Sequence, residues 1–171
     1  MSELNPETFD LDAWIEGADR PQHSVTVYQK AGLIADLDAL AERIKNADDD
    51  EVDGPAMGGG VGKLRAEYAN LAQQFHDSAL TVRVQSLTKD EQAEIEKANP
   101  DLNNTELGYH VIAAALVSPK ATAEQTRKIN KVIGDAQFGQ IIKAYHRANQ
   151  EAPVVSADFL PKSSGQDASE G

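Results

Sequence analysis

The first half of the chain contains two kinds of hydrophobic spacing. Between Ser24 and Tyr28 apolar and polar residues take turns, with Val25 and Val27 on one side, and this spacing predicts a short strand. A second alternating stretch, residues 80–85, predicts another strand. Between the strands lie two stripes with apolar residues four, three and four apart, which is one face of a helix. The stripes are Leu33, Leu37, Leu40 and Ile44, and then Leu64, Tyr68, Leu71 and Phe75.

The order strand, helix, helix, strand predicts how these elements pack. Two consecutive helices with matched apolar stripes are expected to pack antiparallel as a helix hairpin. The flanking strands then also run antiparallel, and we expect a two-stranded β ribbon, which is stable only when it packs on helices. The connection between the two helices, residues 46–62, is rich in Asp and Gly and is predicted to be a flexible linker.

The pattern after residue 87 is helical throughout. Two capping boxes, Thr88 with Glu91 and Thr122 with Gln125, predict helix starts near residues 89 and 123. A largely apolar helix between them is expected to stop before Pro119, and Gly134 is expected to end the helix that Thr122 begins. A last helix should then run to about residue 149.

The chain therefore divides into three parts: an acidic leader, residues 1–22; a helical domain, residues 23–149; and a disordered C-terminal tail, residues 150–171. The predicted fold class is mainly α, with an antiparallel helix hairpin and a minor two-stranded β ribbon, flanked by disordered acidic tails.

The charge and the composition of the chain exclude several classes of partner and of chemical site. The 171 residues carry a formal net charge of −12, and the leader alone has six acidic residues against Arg20. Such a chain is repelled by phosphate backbones and anionic headgroups, so we expect neither nucleic acid nor membrane as a partner. The absence of cysteine excludes disulfides, thiolate metal sites and a cysteine nucleophile.

Three patterns hint at chemistry, and each lacks an essential residue. The run 57–64 resembles a phosphate-binding loop but has Met57 at the first Gly position and Leu64 in place of Ser or Thr. An acidic stretch that begins at Asp49 resembles a calcium loop, but Gly60 replaces its bidentate Glu. The four histidines do not form a zinc motif. We therefore predict no enzyme activity, no metal and no cofactor.

The leader contains an apolar cluster within its acidic residues. Phe9, Leu11 and Trp14, the last being the only tryptophan, precede the predicted domain. These side chains either pack onto the core as a staple or dock a partner, since tryptophan is enriched where binding energy concentrates. Both interpretations stay open here, and Phe9, Leu11 and Trp14 are the candidate partner-binding residues.

Several segments together resemble a known family. The run Phe-Asp-Leu-Asp-Ala-Trp-Ile-Glu-Gly-Ala (9–18), followed by Arg-Pro-Gln-His-Ser-Val-Thr-Val-Tyr (20–28) and an acidic amphipathic helix, is similar to the tail assembly chaperones of long-tailed, siphovirus-type actinobacterial phages. The strand and charged helix of residues 80–98, the apolar helix that ends at Ser118-Pro119, and the ending Phe159-Leu-Pro-Lys-Ser-Ser-Gly165 also resemble that family. The resemblance covers nearly the whole chain.

The resemblance implies a function in phage assembly. Family members bind the tape measure protein in the host cell cytoplasm, keep it soluble while the tail tube assembles around it, and are absent from the mature virion. A longer form arises by programmed ribosomal frameshifting, so this chain would be the short form, and a slippery site is expected at Leu160-Pro161-Lys162. The longer form would be a second partner, and self-association stays open. The alternatives are a structural phage protein (a capsid scaffold or a minor virion component) or a small bacterial adaptor protein.

Overall fold

A computed structural model describes residues 8–51 and 60–153 of the chain. These residues are mostly helical and contain a small antiparallel sheet. The helices are α1 (Leu11–Glu16), α2 (Leu33–Glu51), α3 (Gly60–Asp77), α4 (Lys89–Ala98), α5 (Asn104–Ala115) and α6 (Ala123–Gln150). The strands are β1 (Gln22–Tyr28), β2 (Ala79–Gln85) and β3 (Leu116–Ser118). The predicted mainly α class with a minor antiparallel sheet is therefore confirmed.

The two predicted strands pair along their whole length. β1 lies antiparallel to β2, from Gln22 opposite Gln85 to Tyr28 opposite Ala79. Val27 on β1 and Val82 and Val84 on β2 are buried, because α6 packs against the sheet on the side of these valines. The alternating apolar positions are thus the ones that reach the core, as period-two spacing requires.

The predicted two-stranded ribbon is wrong in one respect, because the sheet has a third strand. The apolar helix α5 ends at Ala115, and residues Leu116–Ser118 form β3 beside β2. Pro119 accounts for part of this change, since the residue before a proline avoids helical backbone angles. Leu116 is buried in the core from its position on β3. A strand of three residues is too short to show period-two alternation, so the sequence pattern misses it.

Helices α2 and α3 form the predicted antiparallel hairpin. Asp48 near the end of α2 pairs with Arg65 near the start of α3, with 2.8 Å between the carboxylate and the guanidinium. At the other end of the hairpin the ring of Phe75 stacks on Tyr28 of β1, with 4.2 Å between ring centroids. The predicted linker 46–62 is too long, because α2 continues to Glu51 and α3 begins at Gly60. Consecutive acidic residues are thus compatible with helix here.

The second half of the chain supplies most of the core. Both predicted capping boxes are present, Thr88 with Glu91 on α4 and Thr122 with Gln125 on α6. Helix α6 packs against β1, β2 and α5, and it contributes Phe138, Ile141, Ala144 and Tyr145 to the central cluster. Gly134 interrupts α6 with φ of 81° and ψ of 162°, which confirms the predicted break at this residue.

The tails are only partly described. The acidic leader was expected to be disordered, yet its residues 11–16 form α1, so the expectation is wrong for that segment. Of the other residues in the predicted tails, 1–7 and 154–171 lie outside the described residues. The proposed slippery site at Leu160-Pro161-Lys162 and residues 57–59 of the run that resembles a phosphate-binding loop lie outside them as well.

Candidate functional site

Helix α1 presents apolar side chains to solvent. Asp10 caps the helix by accepting a hydrogen bond from the backbone N–H of Ala13 at 3.0 Å. Leu11, Trp14 and Ile15 follow a spacing of three and four and therefore share one side of the helix. Their exposed fractions are 56%, 58% and 56%. No side chain of α1 is buried, so this apolar side has no cover from the described part of the chain.

The ring of Phe9 extends this apolar side. Its centroid lies 6.5 Å from that of Trp14, at an interplanar angle of 53°, within the range of favourable tilted aromatic pairs. Phe9 itself is 36% exposed. The structure thus brings together two of the three candidate residues, Phe9 and Trp14, and places Leu11 one helical turn before Trp14 on the same side. Ile15 was not among the candidate residues, although its position four residues after Leu11 predicts that it shares the same side of a helix.

Arg20 fixes the leader to the folded body just after α1. Its guanidinium lies 2.6 Å from the carboxylate of Glu91 on α4 and also donates to the backbone oxygen of Ser86 at 3.3 Å. The backbone N–H of Ser86 donates to the carbonyl of Pro21 at 3.0 Å. The hydrogen bond from Arg20 lowers the pKa of the Glu91 carboxyl, and the backbone N–H of Thr88 lowers it further. The exposed apolar residues therefore sit on a segment that is tethered at its C-terminal end.

A second apolar surface lies between α5 and α6. These helices border an open groove of about 600 Å³, and its lining is mostly apolar. The main contributors are Leu107, Val111, Ile112, Phe138, Ile142 and Tyr145. Burial raises the pKa of the Tyr145 hydroxyl, as expected for a phenol beside aliphatic side chains. The sequence predicted an apolar helix here but treated its residues as core, so the groove was missed.

One polar group in the groove lacks a partner. The amide nitrogen of Asn130 donates to the hydroxyl of Tyr109 at 3.0 Å. The amide oxygen of Asn130 is buried and has no hydrogen-bond partner within residues 8–51 and 60–153. An unpaired buried acceptor costs free energy that a donor from solvent or from a bound group can recover. The unpaired acceptor is therefore a local cost in stability beside the groove.

Among the described residues, no group of three or more His, Cys, Asp or Glu is close enough to hold a metal ion. No helix in the described ranges combines the length and apolarity that a membrane span needs. The expectations of no enzyme activity and no cofactor stay predictions.

The two surfaces can bury apolar groups of a partner. Asp10, Asp12 and Glu16 are the acidic residues at the N-cap and within α1. The groove is lined by the acidic Asp135, and no Lys or Arg of helix α6 lines it. Comparison of the chain with protein-family models, with curated proteins and with solved structures found no match.

Proposed function

We propose that this protein is a tail assembly chaperone of a long-tailed actinobacterial phage, and that it binds the tape measure protein and keeps it soluble while the tail tube assembles. One observation carries the proposal. One of the segments that resemble the family, residues 9–18, is also the one whose apolar side chains face solvent on α1. An exposed, contiguous apolar patch on a folded chain is typical of a surface that binds another molecule.

The geometry of α1 indicates what kind of client segment it accepts. Leu11, Trp14 and Ile15 form a short apolar stripe, and a stripe of this kind is buried best against the apolar face of an amphipathic helix. Asp12 beside the stripe favours Lys or Arg next to the apolar residues of the client. The α5–α6 groove supports the same proposal as a second apolar surface.

A binding protein of this kind acts in the host cytoplasm and leaves before the particle is complete. We accordingly propose that the chain changes no covalent bond, that it is absent from the mature virion, and that a frameshifted longer form shares the client. The small contact area of one six-residue helix fits weak and reversible binding. Weak binding is what a chaperone needs when its client must pass into the tail.

The test is co-expression of this chain with the tape measure protein of the same genome. Wild type should raise the soluble fraction of the client and co-purify with it. Trp14→Ala should reduce the recovered client by roughly tenfold or more, because a central tryptophan commonly supplies a large share of binding energy. The stability of the variant should be unchanged, since Trp14 is 58% exposed.

A matched control is available on the same protein. Val132 lies on α6 and is 78% exposed, so Val132→Ala removes an exposed apolar side chain elsewhere and should leave recovery at the wild-type level. Trp14 is also the only tryptophan, and its emission should shift to shorter wavelength when client is added. Equal recovery with wild type and Trp14→Ala, or a stoichiometric amount of the chain in purified virions by mass spectrometry, would contradict the proposal.

A further inference from the structure

Strand β1 forms one edge of the sheet, and half of its backbone groups point away from β2. The sheet order is β1-β2-β3. Gln29 donates its N–H to the carbonyl of Ser78, and Ser86 donates to the carbonyl of Pro21. In an antiparallel ladder such hydrogen-bonded pairs recur at every second residue. The odd-numbered residues of β1 therefore bond to β2, and Gln22, Ser24, Thr26 and Tyr28 direct their N–H and C=O groups outward.

A side chain from α6 closes this edge at one end. The amide of Gln137 accepts from the N–H of Tyr28 at 2.7 Å and donates to the carbonyl of the same residue at 3.0 Å. It thereby takes the place of a neighbouring strand at that position. The backbone groups of Gln22, Ser24 and Thr26 have no such partner among the described residues, and all three residues are exposed.

The open part of the edge lacks the usual features that prevent pairing. Natural edge strands are commonly protected by charged side chains, proline, a bulge or short length. β1 is seven residues long and its sequence, QHSVTVY, has no proline and no Asp, Glu, Lys or Arg. β3, on the opposite side of the sheet, has two of these features, because it is only three residues long and Pro119 follows it directly.

We propose that two copies of this chain pair through β1, antiparallel across a two-fold axis at Ser24. In this register Ser24 lies opposite Ser24 of the second copy, and Gln22 lies opposite Thr26. All the open N–H and C=O groups of both copies are then satisfied by about six hydrogen bonds. The two sheets join into one continuous sheet.

The partner of this edge is a second copy of the chain, because the residues with unpaired backbone groups are arranged symmetrically along β1. Gln22 and Thr26 are equally far from Ser24, so rotation by two-fold symmetry places every open residue against another one. A shift of two residues either way would place an open residue against Tyr28, which Gln137 already occupies, or beyond the strand. β1 contains no Asp, Glu, Lys or Arg, so the strand itself adds no acidic residue to the contact between two strongly acidic copies. This interface does not depend on the proposed chaperone function.

The first test is the oligomeric state of the full chain. Sedimentation equilibrium should show a dimer for wild type. Ser24→Pro removes only an outward N–H, so the pairing with β2 is retained, but both central bonds of the interface are lost. Its dissociation constant should rise by roughly tenfold or more. Ser24→Ala keeps the N–H and should remain dimeric, with the circular dichroism of both variants unchanged.

The second test addresses the register. The chain contains no cysteine, so a single one can be introduced at a chosen position. Ser24→Cys places the two sulfurs directly opposite each other across the axis, and mild oxidation or a short bifunctional thiol reagent should link the copies. In Thr26→Cys the corresponding positions are separated by four residues of strand, about 13 Å, so linkage should be much slower.

Each outcome decides for or against the interface. A concentration-dependent dimer that Ser24→Pro disrupts, together with faster linkage of Ser24→Cys than of Thr26→Cys, supports it. A wild-type monomer at high concentration, or a dimer that is as stable in Ser24→Pro as in Ser24→Ala, overturns it. Faster linkage at position 26 would show a different register and would also overturn the proposal as stated.

Discussion

Arg20 and Glu91 connect the leader to the body, and only half of this contact was visible in the sequence. The spacing of Thr88 and Glu91 predicted a capping box, and the structure contains it. The pairing of Glu91 with Arg20, 71 residues earlier, could not be predicted, because it depends on how the strand β1 and the helix α4 meet in the fold. Local spacing determines a cap, whereas a distant ion pair requires the tertiary structure.

The low pKa of Glu91 makes a prediction about pH. The Arg20 hydrogen bond, followed by that of the Thr88 backbone, favours the charged carboxylate in the folded state. The contact therefore stabilises the fold above the ordinary pKa of 4.5, and its contribution is lost as pH falls through the lower pKa of the folded state. Glu91→Gln keeps a capping-box residue and removes the charge, so its deficit in stability should be largest near neutral pH and should shrink below pH 4.5.

Urea unfolding of wild type and Glu91→Gln over a series of pH values measures this deficit directly. Glu94→Gln is the matched control, because Glu94 is an exposed acidic residue on the same helix. It should show no comparable convergence with wild type. A deficit of Glu91→Gln that is the same at all pH values would mean that charge does not contribute to the contact.

At the scale of elements, periodicity predicted well wherever a pattern had room to repeat. β1, β2 and the hairpin of α2 and α3 follow from alternation and from four-three-four spacing. β3 was missed because Leu116–Ser118 is too short to alternate. α1 was missed because its charges suggested disorder, although Asp10 is a good cap for the residues that follow. Whether a short helix or strand forms depends more on its capping residues and on its neighbours in the fold than on hydrophobic periodicity.

Replacing either of two glycines on α6 by alanine should change the free energy of unfolding, with opposite signs at the two positions. Gly134 has φ of 81° and ψ of 162°, a region that only glycine enters without strain. A β-carbon there would meet nothing within 4 Å, so the cost of Gly134→Ala is purely conformational. We expect a loss of about 1–3 kcal/mol in the free energy of unfolding.

Gly139, which lies in a regular part of α6, is the comparison for Gly134. A β-carbon at this residue would also meet nothing within 4 Å. Gly139→Ala should therefore raise the free energy of unfolding by about 0.5–1 kcal/mol, because alanine loses less backbone entropy in a helix. Denaturant unfolding of both variants gives the two values. If Gly134→Ala were as stable as wild type, α6 would have to be continuous through residue 134.

At the scale of the whole molecule, the sequence predicted apolar residues on the leader but not which of two interpretations holds. Phe9, Leu11 and Trp14 could have packed on the core, and the structure instead leaves them exposed. The α5–α6 groove could not be predicted, because Leu107 and Val111 have the spacing of ordinary core residues. Only the position of α6 in the fold shows that they line a groove. Whether an apolar side chain is core or surface depends on which faces the fold covers.

The net charge of −12 makes a last prediction about the proposed dimer. Two copies repel each other over long distances, while β1, where they meet, has no Asp, Glu, Lys or Arg and is held by backbone hydrogen bonds. Salt screens the repulsion and leaves those bonds nearly unaffected, so association should tighten as NaCl rises from about 50 mM to about 500 mM, where the Debye length becomes shorter than the separation of most charges. Sedimentation equilibrium over this range measures the effect, with Ser24→Pro as the variant that should stay monomeric. An interface held by ion pairs would weaken over the same range, so dissociation at high salt would argue that the copies meet through charged surfaces instead of the β1 edge.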